Sequence, residues 1–140
     1  MRLLIAFVVA GMALAQSPQY QGVATPKQIM AGIQKPAMDS LVAINKAGGP
    51  KDDKEWELAQ QHAAVLAETA QLLLMGSRPK DQDVWIKSSQ RLNAAAGTSA
   101  KAAEAKDLKA WQESINAMGG ACRSCHKVHR KTKDGEKAGS

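Results

Sequence analysis

DLKAWQESINAMGGACRSCHKVHR, residues 107–130, decides how the rest of the chain is read. Leu108, Trp111, Ile115, Met118, Cys122 and Cys125 follow one another in steps of three and four, the spacing that puts them on one seam of a helix. The two cysteines therefore continue a core stripe. Gly119 and Gly120 stand just before them, which lowers helix propensity but lets a bulky group approach the backbone closely.

Working back from this helix, three more segments carry the same periodicity and almost nothing alternates as a strand does. The first is expected over 26–47, with Thr25 as N-cap, Pro26 at the first position, and Ile29, Met30, Ile33, Ala37, Leu41 and Ile44 facing inward. Pro36 inside that pattern predicts a kink or local interruption. Gly48-Gly49-Pro50 ends it. The second runs from about Asp52 to Met75, its stripe being Trp56, Ala59, Ala63, Leu66, Ala70 and Leu73, with Gly76 and Pro79 closing it. The third runs from about Asp81 to Ala105, with Val84, Trp85, Leu92 and several alanines inward. Four amphipathic helices with short connections predict an all-α fold, an antiparallel up-down-up-down four-helix bundle. A three-helix bundle and a longer irregular helical domain are the alternatives.

The 140 residues suffice for one domain with a core. Residues 1–15, MRLLIAFVVAGMALA, put Arg2 before a short apolar run and end in Ala13-Leu14-Ala15, the pattern of a signal peptide cleaved before Gln16. The run is too short for a membrane span, so no stable membrane insertion is expected, and export implies a periplasmic protein. Residues 16–25 read as a flexible lead-in, 26–130 as the four-helix domain, and 131–140 as a flexible basic tail. With 19 basic and 13 acidic residues the net charge is +6, or +5 once Arg2 leaves with the leader. An acidic docking partner would match that surface, whereas nucleic acid is not expected without interleaved aromatics or a binding motif.

Cys122-Arg123-Ser124-Cys125-His126 is the C-x-x-C-H pattern of c-type haem attachment: two thiols three residues apart join the two vinyl groups of one haem, and the next residue offers an imidazole to the iron. The expected cofactor is thus one covalently held haem c per chain, with Cys122 and Cys125 as tethers and His126 as proximal iron ligand. A redox dithiol of the thioredoxin kind opens a helix, where the dipole lowers the thiol pKa; this pair closes one. A zinc site of Cys122, Cys125, His126 and His129 would crowd four ligands onto two turns.

For the second axial position, the start of the first helix lies level with the end of the fourth in such a bundle, which points to Met30. Met38 lies ~12 Å further along the axis and rotated off the stripe. By the same level argument Val84, Trp85, Leu72 and Leu73 are expected to wall the haem. His62 is expected at the surface or partly buried, and His129 at the pocket edge.

Four helices with a C-x-x-C-H near the C-terminus resemble the class II c-type cytochromes, the family of cytochrome c′ and its low-spin c-556 relatives. The resemblance spans nearly all of the mature chain. It implies an exported electron-transfer protein rather than an enzyme, sometimes a homodimer and otherwise a monomer. Low-spin members take a Met from early in the first helix as sixth ligand, and Ile29-Met30 followed by Pro36-Ala37-Met38-Asp39 is similar to that segment. Cytochrome c′ members leave the sixth position open and bind nitric oxide or carbon monoxide, which is the alternative function. His129-Arg130 stands where the family often has an aromatic and a basic residue. The resulting expectation is a periplasmic one-electron carrier with six-coordinate His126/Met30 haem.

Overall fold

The computed structural model describes residues 20–130; the leader at 1–15, the first residues of the lead-in and the tail at 131–140 lie outside them. Helices α1 (Pro26–Ile29), a π turn (Met30–Gln34), α2 (Lys35–Lys46), α3 (Asp53–Leu72), α4 (Val84–Glu104) and α5 (Leu108–His129) follow in order. The first three pieces run on without a break, giving four helices and no strand among the described residues.

Each helix starts where a side chain can accept an orphan backbone N–H. Thr25 and Gln28 form a capping box: the Gln28 N–H donates to Thr25 Oγ1 at 3.2 Å, and the Thr25 N–H to Gln28 Oε1 at 2.9 Å. The Asp52 carboxylate accepts from the Glu55 N–H at 2.9 Å, and that of Asp107 from the Ala110 N–H at 3.0 Å. Helix α4 begins three residues later than the sequence suggests, because Asp81 acts from outside it. Its Oδ1 accepts from the Trp85 N–H at 3.0 Å and the Asp83 N–H at 2.8 Å.

The disturbance expected at Pro36 is the π turn. Pro36 has no N–H to give to the turn behind it, and its ring crowds the carbonyl four residues back; widening the preceding turn relieves both. The Lys35 N–H accordingly reaches back five residues to the Met30 carbonyl. The extra residue rotates the helix face. Ile33, expected inward, is 40% exposed, and Gln34 takes the interior position at 8%. Met38, expected off the stripe, is half-buried and packs on the core.

Small residues let the helices close on one another. Ala59, Ala63, Ala70 and Ala96 are fully buried around Leu41, Leu66, Trp111 and Met118 in the main core. Helix α4 packs along both α3 and α5, while α2 packs on α3 and touches α5. Three contacts tie α3 and its C-cap Leu73 to α4 and the turn after it: Lys106 Nζ to Asp53 Oδ1 at 2.8 Å, Asn93 Nδ2 to the Ala67 carbonyl at 2.8 Å, and Trp85 Nε1 to the Leu73 carbonyl at 2.8 Å.

Leu108, expected on the seam, is 41% exposed at the first turn of α5. It lies against Gly49, where a Cβ would stand 2.3 Å from Leu108 Cδ1 and φ is +104°, so the loop after α2 requires glycine there. The described part of the lead-in is tied down by Arg78, which is 6% exposed. Its Nε donates to the Ala24 carbonyl at 2.9 Å and its Nη1 to the Leu72 carbonyl at 3.1 Å, while the guanidinium lies 5.2 Å from the Tyr20 ring centre. A cation beside the last residue of α3 also suits that helix's dipole.

Candidate functional site

At one end of the core a second apolar cluster forms from Ile29, Leu73, Trp85 and Cys125, with Met30 and Leu72 packed against it. Beside it opens a cavity with about 730 Å³ of atom-free space, part of it facing solvent. Cys122, Cys125 and His126 line it from α5, and Met30, Gln34 and Met38 from the first helix. Leu66 and Leu73 supply apolar wall from the α3 side, Ser88, Ser89 and Leu92 from α4. The exposed ion pair of Lys35 with Asp39 rims the opening.

Met30 and Cys125 thus meet in one cluster, although 95 residues separate them in the chain. Met38 lines the same cavity but packs against the main core instead. Of the four residues expected to form walls, Leu73 lines the cavity. Trp85 and Leu72 stand behind it in the cluster, and Val84, half-buried at the start of α4, is not part of the lining. The Trp85 indole donates to the Leu73 carbonyl and packs edge-on against His129, ring centres 5.5 Å apart, so it plugs the end of the helices beyond the cavity.

Ser88, Ser89, Leu92 and Leu66 are the wall residues that apolar periodicity did not single out as such. The signal was present: Trp85, Ser88, Ser89, Leu92, Ala96 and Ser99 keep helical spacing and are all buried. Serine hydroxyls hid it.

Both cysteines are free thiols, Cys125 buried and Cys122 half-buried. Burial pushes the Cys125 thiol up to about 11, helped by the neighbouring Cys122 and by Asp81. The Cys122 thiol is also raised, by burial, with Arg123 opposing. Both stay protonated at neutral pH, the opposite of the lowered pKa that a catalytic dithiol needs. Burial, and then Arg130, lower His126, so its imidazole is neutral near pH 7 and has a lone pair for a metal.

His129 points elsewhere. Its Nε2 lies 2.6 Å from Asp81 Oδ2, an ion-pair distance although the N–H is poorly aligned for a hydrogen bond. His62 Nδ1 faces the Ala37 carbonyl at 3.3 Å, away from the cavity lining. Among the described residues no group of three or more His, Cys, Asp or Glu side chains is arranged to hold a metal ion, so the four zinc ligands weighed above are not assembled.

Two protonated thiols, a neutral imidazole and a thioether around one largely apolar cavity are groups that could hold an apolar cofactor. One buried polar atom in that lining, Gln34 Nε2, has no hydrogen-bond partner. No protein family, no curated protein and no solved structure matches this chain.

Proposed function

We propose that the chain is an exported one-electron carrier with a single covalent haem c, held six-coordinate between His126 and Met30. The observation that carries this reading is that Met30 lines the same cavity as the Cys122-x-x-Cys125-His126 motif and packs in one cluster with Cys125. In this reading Cys122 and Cys125 would hold the haem through thioether bonds, and His126 and Met30 would be its iron ligands. When bound, haem supplies the one-electron couple of its iron. Leu66, Leu73 and Leu92 keep water from the buried face, and methionine as an axial ligand raises the potential. Two protein ligands that stay in place leave little to reorganise on transfer, and no residue is asked to make or break a bond in a substrate.

The up-down-up-down arrangement belongs to the same proposal. The contact pairs Asp53 with Lys106, Ala67 with Asn93 and Leu73 with Trp85 run in opposite order along α3 and α4, which supports antiparallel neighbours. The leader over 1–15 would send the protein to the periplasm. There the lysine-rich surface, with Lys35, Arg123, Lys127 and Arg130 exposed toward this end, would meet acidic redox partners.

The test is an absorption spectrum of the reduced protein with and without carbon monoxide. A low-spin spectrum that the gas leaves unchanged is expected. A high-spin spectrum that shifts on adding the gas would replace the carrier by a gas-binding protein with an open sixth position.

A further inference from the structure

Gln34 is over nine-tenths buried, it lines the cavity, and its Nε2 has no hydrogen-bond partner. A buried donor without an acceptor is costly, and such groups are rare unless binding of a cofactor brings an acceptor within reach. Gln34 stands midway between two thioethers, four residues after Met30 and four before Met38, all three lining the same cavity. The direction of helical side chains decides between them. Cα–Cβ bonds tilt toward the N-terminus, so a residue covers the turn before its own Cα, and Gln34 leans toward Met30. The π turn, which runs from Met30 to Gln34, turns these two residues onto the interior face together.

We propose that Gln34 is a positioning residue: when haem is bound, its Nε2–H, unpartnered in the bare chain, comes to donate to the sulfur of Met30 and holds that thioether in place as an iron ligand. A thioether sulfur has two lone pairs, so one can face a metal while the other accepts a weak hydrogen bond. Partners of this kind orient a ligand and commonly change metal affinity 10–100-fold. The Ser88 and Ser89 hydroxyls lie on the α4 wall and belong to another helix. The inference rests on the axial role proposed for Met30.

The experiment is a cycle of Gln34→Leu, Met30→Ala and the double variant in the haem-loaded full chain, reading carbon monoxide binding to the reduced protein. Gln34→Leu should make binding visible at gas concentrations that leave the unchanged protein unaltered, an apparent affinity about tenfold higher, because a less firmly held Met30 gives way more often. In the Met30→Ala background the same change should add nothing. Gln34→Asn, whose amide is one methylene too short, should behave like Gln34→Leu and guards against a folding defect in the apolar variant. If Met30→Ala opens the iron to the gas while Gln34→Leu and Gln34→Asn bind it no better than the unchanged protein, Gln34 does not position Met30, and the carrier reading stands. If Met30→Ala itself changes nothing, both the ligand assignment and this inference fall.

Discussion

Met30→Ala is expected to turn a reduced protein indifferent to carbon monoxide into one that binds it stoichiometrically, with loss of the low-spin spectrum. Alanine cannot coordinate, and the space left by the thioether lies inside the cavity, within reach of a diatomic gas. Met38→Ala is the control, since Met38 also lines the cavity. It packs with the main core, whereas Met30 packs with Cys125 and Leu73, so Met38→Ala should leave the spectrum and the gas response unchanged. Conversion by Met38→Ala and not by Met30→Ala would move the ligand two turns along the first helix.

The largest effect on stability is expected at Trp111. Its side chain is fully buried and meets Trp56 edge to face, ring centres 6.1 Å apart at 75°. Truncation to alanine removes that contact and opens a cavity in the middle of the core, which costs roughly 3–5 kcal/mol. Against a total of about 5–15 kcal/mol for an ordinary domain, Trp111→Ala should unfold at much lower denaturant or fail to accumulate. The indole Nε1 has no hydrogen-bond partner, so Trp111→Phe deletes an orphan donor along with part of the ring. Phenylalanine should therefore recover most of the loss, measured as denaturation midpoints of the three proteins. Equal losses for Phe and Ala would mean that Nε1 is satisfied after all.

Where periodicity met ordinary α-helix, the sequence was a sufficient guide. Trp111, Ile115, Met118 and Cys125 are buried as a seam of threes and fours predicts, with Cys122 half-buried, and so are Ala59, Ala63, Leu66 and Ala70 on α3 and Leu73 at its C-cap, with Trp56 half-buried. The N-cap expected at Thr25 is used. The first helix resisted because its period changes partway. Pro36 announces an interruption, but whether the chain answers with a bend or with an inserted residue depends on what packs against it. Here the insertion exchanged Ile33 for Gln34 at the interior and brought Met38 to the cavity.

The grouping of the motif with Met30 was legible in the sequence, the walls around it less so. Cys122, Cys125, His126 and Met30 all line one cavity. The level argument puts the walls at Val84 and Trp85 in the first turn of α4 and at Leu72 and Leu73 late in the second helix, and of these Leu73 lines the cavity. Trp85 instead closes the end of the helices, pinned by the Leu73 carbonyl and packed edge-on against His129, and the cavity is lined one and two turns deeper by Ser88, Ser89 and Leu92. A large indole that finds a hydrogen-bond acceptor at a helix end serves better as a plug than as a wall, and the sequence does not say which acceptor will be free.

The most direct test of covalent haem attachment is the mass of the denatured, purified protein after expression in a host that matures c-type cytochromes. The expected result is a coloured polypeptide starting at Gln16, heavier than its amino acids by one haem, with the added mass lost in the Cys122→Ser, Cys125→Ser double variant. A colourless chain whose mass equals its bare amino acids would contradict it.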